Sequence, residues 1–427
     1  MERKLEVLNC FDKRLKSHHD GKSLAGKYVK SIPATRDDLT IILSEKPKNI
    51  PKSIYVHTPY CDKICSFCNL NRKQIEGSLD EYAQYLADQF EIYGKTTYFE
   101  ESQFQVVFFG GGTPTVFNPN QLMLILESIK KNIRFAPNYE FTFESTLHNL
   151  NPEKLKIMME YGVNRLSVGI QTFNDNGRIF YNRTYSRREA IKRLQDLKNN
   201  FIGDVCVDII YNYPNQTIEE VKEDARLVKE LELSSASFYS LMVHEGSKLS
   251  QDINEEKVQV NNELKRDYEL YNGFLEEVLK GDQYYVLELT KVARKNADNY
   301  QYIKVRNNGG DTFPIGIGAG GNIGNIGMFN MNKEMSFFMK HDESVNRFSR
   351  ISGLLQFPKV SINQIKEFLF EEEYKFFQEK MEYYKKKKLV TKENNNYILT
   401  KDGIFWGNNI ASEIVTHILE SVFNNKL

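Results

Sequence analysis

Six short apolar runs, each followed by a helical pattern, fill residues 54–241. They are IYVH (54–57), FQVVFF (104–109), YEFTFE (139–144), RLSVGIQ (165–171), DVCVDIIY (204–211) and SASFYSL (235–241). All have strand length and are rich in β-branched and aromatic residues. Helix starts stand between them. Ser78-Leu-Asp-Glu81, Ser186-Arg-Arg-Glu189 and Thr217-Ile-Glu-Glu220 read as capping boxes, and Asn118-Pro119 as an N-cap with Pro at the first helical position. A further helix from Pro152 stops at Gly162. Strand alternating with helix implies a parallel sheet with right-handed crossovers. The expected fold is α/β, a partial (β/α)6 TIM-like barrel, with an open sheet as the alternative that periodicity leaves standing. Polar residues collect at the C-terminal ends of the strands, where such barrels place chemistry.

The flanks divide the rest. Residues 1–50 hold Pro33 and Pro47, end against Pro51 and show no convincing period, so they read as an N-terminal extension packed on something else. Residues 51–250 form the barrel core. Residues 251–355 complete it and supply a substrate region, with an amphipathic helix at 262–280 and a glycine-rich loop, IGIGAGGNIGNIG, at 315–327. Residues 356–427 read as a small α+β, winged-helix-like domain: a helix to about Leu389, a hairpin around Asn394–Asn396 and a final helix. A lid over the substrate is the role expected of it.

Charge excludes several partners. The chain has 57 Lys+Arg against 57 Asp+Glu, so no nucleic-acid partner is expected. No apolar run approaches the ~20 residues that span a bilayer. The start, MERKLEVLNCFDKRLKSHH, lacks an apolar signal core, so a cytoplasmic location is expected.

Three of the five cysteines fall within eight positions, as Cys61-x3-Cys65-x2-Cys68, just after the first strand. Structural zinc wants four closed ligands, and only a neighbour such as His57 could complete such a set. Three thiolates can instead hold three irons of a [4Fe–4S] cubane and leave the fourth open. An open iron can chelate the amino and carboxylate groups of S-adenosylmethionine (SAM). A second signal, FFGGGTPT (108–115), places glycines at a strand end, where backbone approaches a ligand closely and free N–H groups can bind it.

YVHTPYCDKICSFC and FFGGGTPT together resemble one branch of the radical SAM superfamily, and the likeness continues through NRLSVGIQTFND, YNRTYS and DIIYNYPNQT. The branch includes oxygen-independent coproporphyrinogen III oxidases, heme chaperones and anaerobilin synthases. The resemblance covers about residues 54–330 and implies a six-unit partial barrel. It implies a [4Fe–4S] cluster on Cys61, Cys65 and Cys68, and one or two molecules of SAM cleaved reductively to a 5′-deoxyadenosyl radical. It assigns SAM contacts to Tyr55, Phe67, Gly111, Gly112, Thr113, Glu144, Gln171, Arg183 and Asp208.

Within that branch the chain departs from the coproporphyrinogen oxidases, which resemble C-x3-C-x2-C-x-C; Leu70 stands at the last position. It departs from the chaperones in having 53 residues before Ile54 and GIGAGGNIG in place of a GIGPGA loop. That loop, the extension and FWGNNI (405–410) look most like the anaerobilin synthases. Those open the porphyrin of heme without oxygen, transfer a methyl group from SAM and release iron. The resemblance therefore implies heme as substrate and a flavodoxin or ferredoxin as electron donor. His244, Lys291, Arg294 and Arg306 are the candidates for heme contact, the last three for the propionates. Cys10 and Cys206 read as incidental small thiols, with Cys206 on the same strand face as Asp208.

Overall fold

The computed structural model describes residues 6–17 and 31–424. Of the N-terminal extension, residues 1–5 and 18–30 therefore lie outside the described part, as do residues 425–427 at the far end.

The six apolar runs become β2 (Lys52–Thr58), β5 (Phe104–Gly111), β6 (Phe135–Ser145), β7 (Arg165–Gln171), β8 (Asp204–Tyr211) and β9 (Ser235–Ser240). β1 (Ser31–Ala34) precedes them, and the two-residue strands β3 (Tyr60–Cys61) and β4 (Lys73–Gln74) pair with each other across the cysteine loop. After β9 come β10 (Tyr284–Glu288), β11 (Lys291–Arg294), β12 (Asp311–Ile315), β13 (Gly320–Ile323), β14 (Ile326–Asn330) and β15 (Ser336–His341). All but β3 and β4 join one sheet in the order β1–β15–β14–β13–β12–β2–β5–β6–β7–β8–β9–β11–β10. The run from β12 to β9 is parallel throughout. This is the expected partial barrel with one parallel strand more than the sequence suggests.

The extra strand, β12, carries Pro314. A proline cannot donate to a ladder and argues against an inner strand. Here Pro314 stands opposite Tyr55 of β2, while pairing to β13 is confined to Thr312 and Asn322. The expected glycine loop at 315–327 is in fact mostly paired backbone, since β13 and the start of β14 lie within it.

Strand periodicity of two sorts the side chains. Ile54, Val56, Val107, Phe109, Phe141, Phe143, Val207 and Ile209 face the helices and form the apolar core, with the Phe109 and Phe143 rings stacked at 4.2 Å. Residues of the other parity, including Tyr55, Glu144, Asp208 and Ser237, line the barrel interior. Helix starts follow the caps: Asn118, Ser186 and Thr217 each close a capping box with the residue three positions on. The box expected at Ser78 does not form. Its hydroxyl is taken by Asp80, and the helix Asp80–Gly94 starts from Leu79 without a side-chain cap.

The lower end of the barrel, where the parallel strands begin, is closed by residues 298–307. Asp298 pairs with Arg165, and Tyr302 stacks on Phe108 at 4.4 Å. Beyond the sheet, β16 (Lys359–Ser361), β17 (Val390–Glu393) and β18 (Asn396–Leu399) form a small antiparallel sheet flanked by the helices Glu371–Lys386 and Gly407–Asn424. Residues 6–17 are not a loose extension. Arg14 reaches Asp267 at 2.9 Å and Tyr211 at 2.6 Å, and Trp406 Nε1 donates to the Val7 carbonyl at 2.9 Å. Among the described residues no helix is long and apolar enough to cross a membrane.

Candidate cofactor site

The cysteine loop hangs over the C-terminal ends of the parallel strands. Its first half is held by the turn after β5: Thr113 N–H donates to the Tyr60 carbonyl at 2.8 Å, and Thr113 Oγ1 to the Cys61 sulfur at 3.5 Å. Its second half is held elsewhere. Asn182 Nδ2 donates to the Ile64 carbonyl, Ser66 Oγ to the Phe180 carbonyl, and Leu249 N–H to the Ser66 carbonyl. Arg183 forks between the Cys65 sulfur, at 3.0 Å, and the Gly169 carbonyl.

Burial pushes the Cys61 thiol up to about 11, and the neighbouring Cys68 and Cys65 add to it. The Cys68 thiol is raised for the same reasons, against the pull of Arg72. Three thiols gathered under a loop, none in a disulfide, fit a group that takes thiolates. Among the described residues no three His, Cys, Asp or Glu side chains converge as ligands of a single metal ion. A cubane requires no such convergence, because each thiolate holds a different iron. His57 does not complete a zinc set. Its Nδ1 accepts from the Tyr55 hydroxyl at 3.0 Å and its Nε2–H donates to the Asn71 carbonyl at 2.9 Å.

The glycines act by close approach. Gly111 has φ +113°, and a Cβ there would lie 2.7 Å from the His57 ring. A Cβ on Gly112 would lie 2.5 Å from the Tyr60 carbonyl oxygen. Their N–H groups are not free, contrary to the expectation from sequence. Gly111 donates to Glu144 at 3.2 Å and Gly112 to the Thr58 carbonyl at 2.7 Å, because the turn folds back onto β2.

Inside the strand ends the structure brings Tyr55, Gly111, Glu144, Gln171, Arg183 and Asp208 around one space. Burial, then the charge of Asp208, raises the Glu144 carboxyl to about 7. Gln171 sits at a bulge in β7 with φ 64°, and its buried Oε1 has no protein partner. Bulges re-aim side chains at such sites, and an orphaned buried acceptor fits a ligand donor. Phe67 instead packs edge-on to Tyr181 at 5.3 Å.

The heme candidates scatter. Lys291 is buried in the interior and donates to Ser237 Oγ at 2.6 Å. Arg306 lies over Tyr302. Arg294 sits at the opposite end of the barrel, its N–H on the Ser234 carbonyl and its guanidinium 4.0 Å from Glu232. His244 follows β9, with its carbonyl accepting from Ser247. Sequence reasoning missed Asp298, Tyr300 and Tyr239. Tyr300 is strained, with φ 41°, and stands between Arg165 and Lys291. Cys206, read from sequence as an incidental thiol, is buried and donates to Asp298.

A family model for the radical SAM superfamily matches residues 55–228. The chain is 32% identical over 196 residues to the heme chaperone HemW of Lactococcus lactis subsp. lactis, which is 46% of this chain and 50% of that one. It thus spans about half the length of that relative. It is 24% identical over 305 residues to the anaerobilin synthase of Escherichia coli O157:H7, covering 70% of this chain and 68% of that one. The solved coproporphyrinogen III oxidase HemN of Escherichia coli shares the fold, with a TM-score of 0.73 over 90% of this chain and 94% of that one, at 20% identity. Residues 55–228 thus form a radical SAM domain, and the relatives together with the HemN fold support a HemN-like branch of that superfamily, whose cofactors are a [4Fe–4S] cluster and SAM.

Proposed function

We propose that this protein is a radical SAM enzyme that opens the porphyrin ring of heme without oxygen. The reaction is coupled to methyl transfer from SAM, gives a linear tetrapyrrole and releases iron. Cys61, Cys65 and Cys68 hold the cluster. Tyr55, Gly111, Gly112, Thr113, Glu144, Gln171, Arg183 and Asp208 form the SAM site. When bound, the two cofactors supply a one-electron cleavage that starts radical chemistry.

The observation that carries catalysis over simple carriage is the barrel interior. Directly beneath the cysteine loop it is polar and half-open, with Tyr55, Glu144, Asp208 and Tyr239 only partly buried. Arg183 brings a guanidinium charge to the same space, beside the Cys65 sulfur. Gln171 offers an unmet acceptor. Glu144, raised to about 7, can hold or release a proton at neutral pH. Lys291 brings a cation into that interior, and Arg306 stands over Tyr302 at its lower end, for the propionates. The likeness to the anaerobilin synthase over 305 residues supports the choice of substrate.

Higher identity to a heme chaperone, over half its length, favours a second reading: heme bound without turnover. The third is coproporphyrinogen decarboxylation, on the HemN fold. One experiment separates them. Anaerobically reconstituted protein is mixed with SAM, a low-potential reductant and either heme or coproporphyrinogen III in parallel, and the products are weighed by mass spectrometry. Loss of the Soret band with a methylated linear tetrapyrrole is the expected result. Intact stoichiometric heme points to the chaperone, and CO2 released from coproporphyrinogen alone to the decarboxylase.

A further inference from the structure

We propose that His148 is a positioning residue for the cysteine loop, acting on Cys61 through Asp62. The proposal rests on the assignment of the three cysteines as cluster ligands.

Asp62 directly follows Cys61 in the chain. Its carboxylate collects three donors: His148 Nε2–H on Oδ2, and the Lys63 N–H at 3.0 Å and Asn149 Nδ2 at 3.3 Å on Oδ1. His148 is itself oriented. Its Nδ1 accepts from Thr146 Oγ1 at 3.1 Å, and Asn149 Nδ2 donates to that same Oγ1 at 2.9 Å. This network lies on the turn Leu147–Asn149, just past the end of β6, the strand that carries Glu144.

The two halves of the cysteine loop hang on different parts of the barrel. Cys65 and Cys68 follow residues 180–183 and Leu249. Cys61 follows Thr113 on its sulfur side and, through Asp62, the β6 turn. His148 therefore fixes where the first ligand stands relative to the other two, and relative to Glu144. It has an electrostatic effect as well. Asp62 adjoins Cys61 in the chain, so its carboxylate charge stands beside the first ligand. Donors on Asp62 draw its charge away from the cluster, so losing one makes an added electron less welcome. Groups that orient ligands in this way commonly change metal affinity 10- to 100-fold.

The test uses the full chain, reconstituted anaerobically, as His148→Ala, His148→Gln, Asp62→Ala and the double alanine variant. Iron retained under chelator challenge and the cluster midpoint potential are measured. His148→Ala and Asp62→Ala should each shed iron about 10-fold faster, and His148→Ala should shift the potential to more negative values. The double variant should be no worse than Asp62→Ala, because both act on one link. His148→Gln, whose amide can donate from near the Nε2 position, should restore iron retention. The His148 side chain is 25% exposed, so the apo-protein should melt as before. Unchanged iron loss and potential in His148→Ala, or additive effects in the double variant, overturn the proposal. If the apo-protein of His148→Ala melts lower, failure of His148→Gln to restore retention overturns it too. Cys65→Ala tests the underlying assignment separately: full iron in that variant sinks the ligand set, whereas an iron-free Cys65→Ala beside a normal His148→Ala sinks only the positioning role.

Discussion

Arg183 ties the Cys65 sulfur to the Gly169 carbonyl, so one guanidinium joins the cysteine loop to the inner wall of the barrel. A lysine has one point charge and no planar fork, and cannot serve both partners. Arg183→Lys should keep near-normal iron content and bind SAM about 10-fold more weakly, a loss of about 1.4 kcal/mol. Calorimetry on the reconstituted protein measures it. Unchanged SAM affinity would remove Arg183 from the cofactor site.

Glu144 makes the apo-protein sensitive to pH. Burial, then Asp208, raises its folded value to about 7. A raised carboxyl favours the fold fully below its unfolded value and loses that contribution as pH rises through the folded one. Apo-protein stability should therefore fall between about pH 4.5 and 7. Glu144→Gln should flatten that slope and melt higher at pH 8, by on the order of 1 kcal/mol, since the half-open interior screens part of the effect. The same variant should bind SAM more weakly. Parallel stability–pH curves for the two proteins would contradict the assignment.

Gly112 has no room for a side chain. Gly112→Ala brings a Cβ to 2.5 Å from the Tyr60 carbonyl. That carbonyl accepts from Thr113, whose hydroxyl reaches Cys61. Overpacking of this kind costs about 1–3 kcal/mol. The variant should unfold at lower denaturant and retain cluster poorly, as read by chemical denaturation and iron analysis. Wild-type iron content would show that the loop can yield there.

Asp298 and Arg165 exchange two hydrogen bonds, at 2.9 and 2.8 Å, with side chains 1% and 2% exposed. Asp298→Ala strands the guanidinium and should cost about 3–5 kcal/mol in urea unfolding. Burial alone would raise the Asp298 carboxyl, but Arg165 holds it below the usual carboxylate range. Its contribution is thus present at neutral pH and fades as pH falls below about 4. A variant as stable as the parent would show that residues 298–307 are not needed to close the barrel.

The barrel strands were legible because β2 and β5 to β9 pair apolar runs with caps such as Ser186 and Thr217, which signal locally. β12 was not, since Pro314 speaks against a strand unless its pairing partners are known. Ser78 shows the reverse failure: the capping pattern was present, but Asp80 competed for the hydroxyl. The cysteine spacing gave the heart of the candidate site. The barrel floor stayed hidden because Asp298 meets Arg165 across 133 residues and has no periodic context. His148 was unreadable for a similar reason, as its partner Asp62 lies 86 residues away.

The hydrogen bond from Trp406 to Val7 joins positions 399 apart in the chain, and Arg14 reaches the Phe405 carbonyl across 391. During synthesis, residues 6–17 emerge early, yet part of their seat, residues 405–409, is made only near the end. Closing so long a loop is entropically slow. The barrel can assemble strand by strand as it is translated, but this seam is sealed only after release of that distant segment from the ribosome.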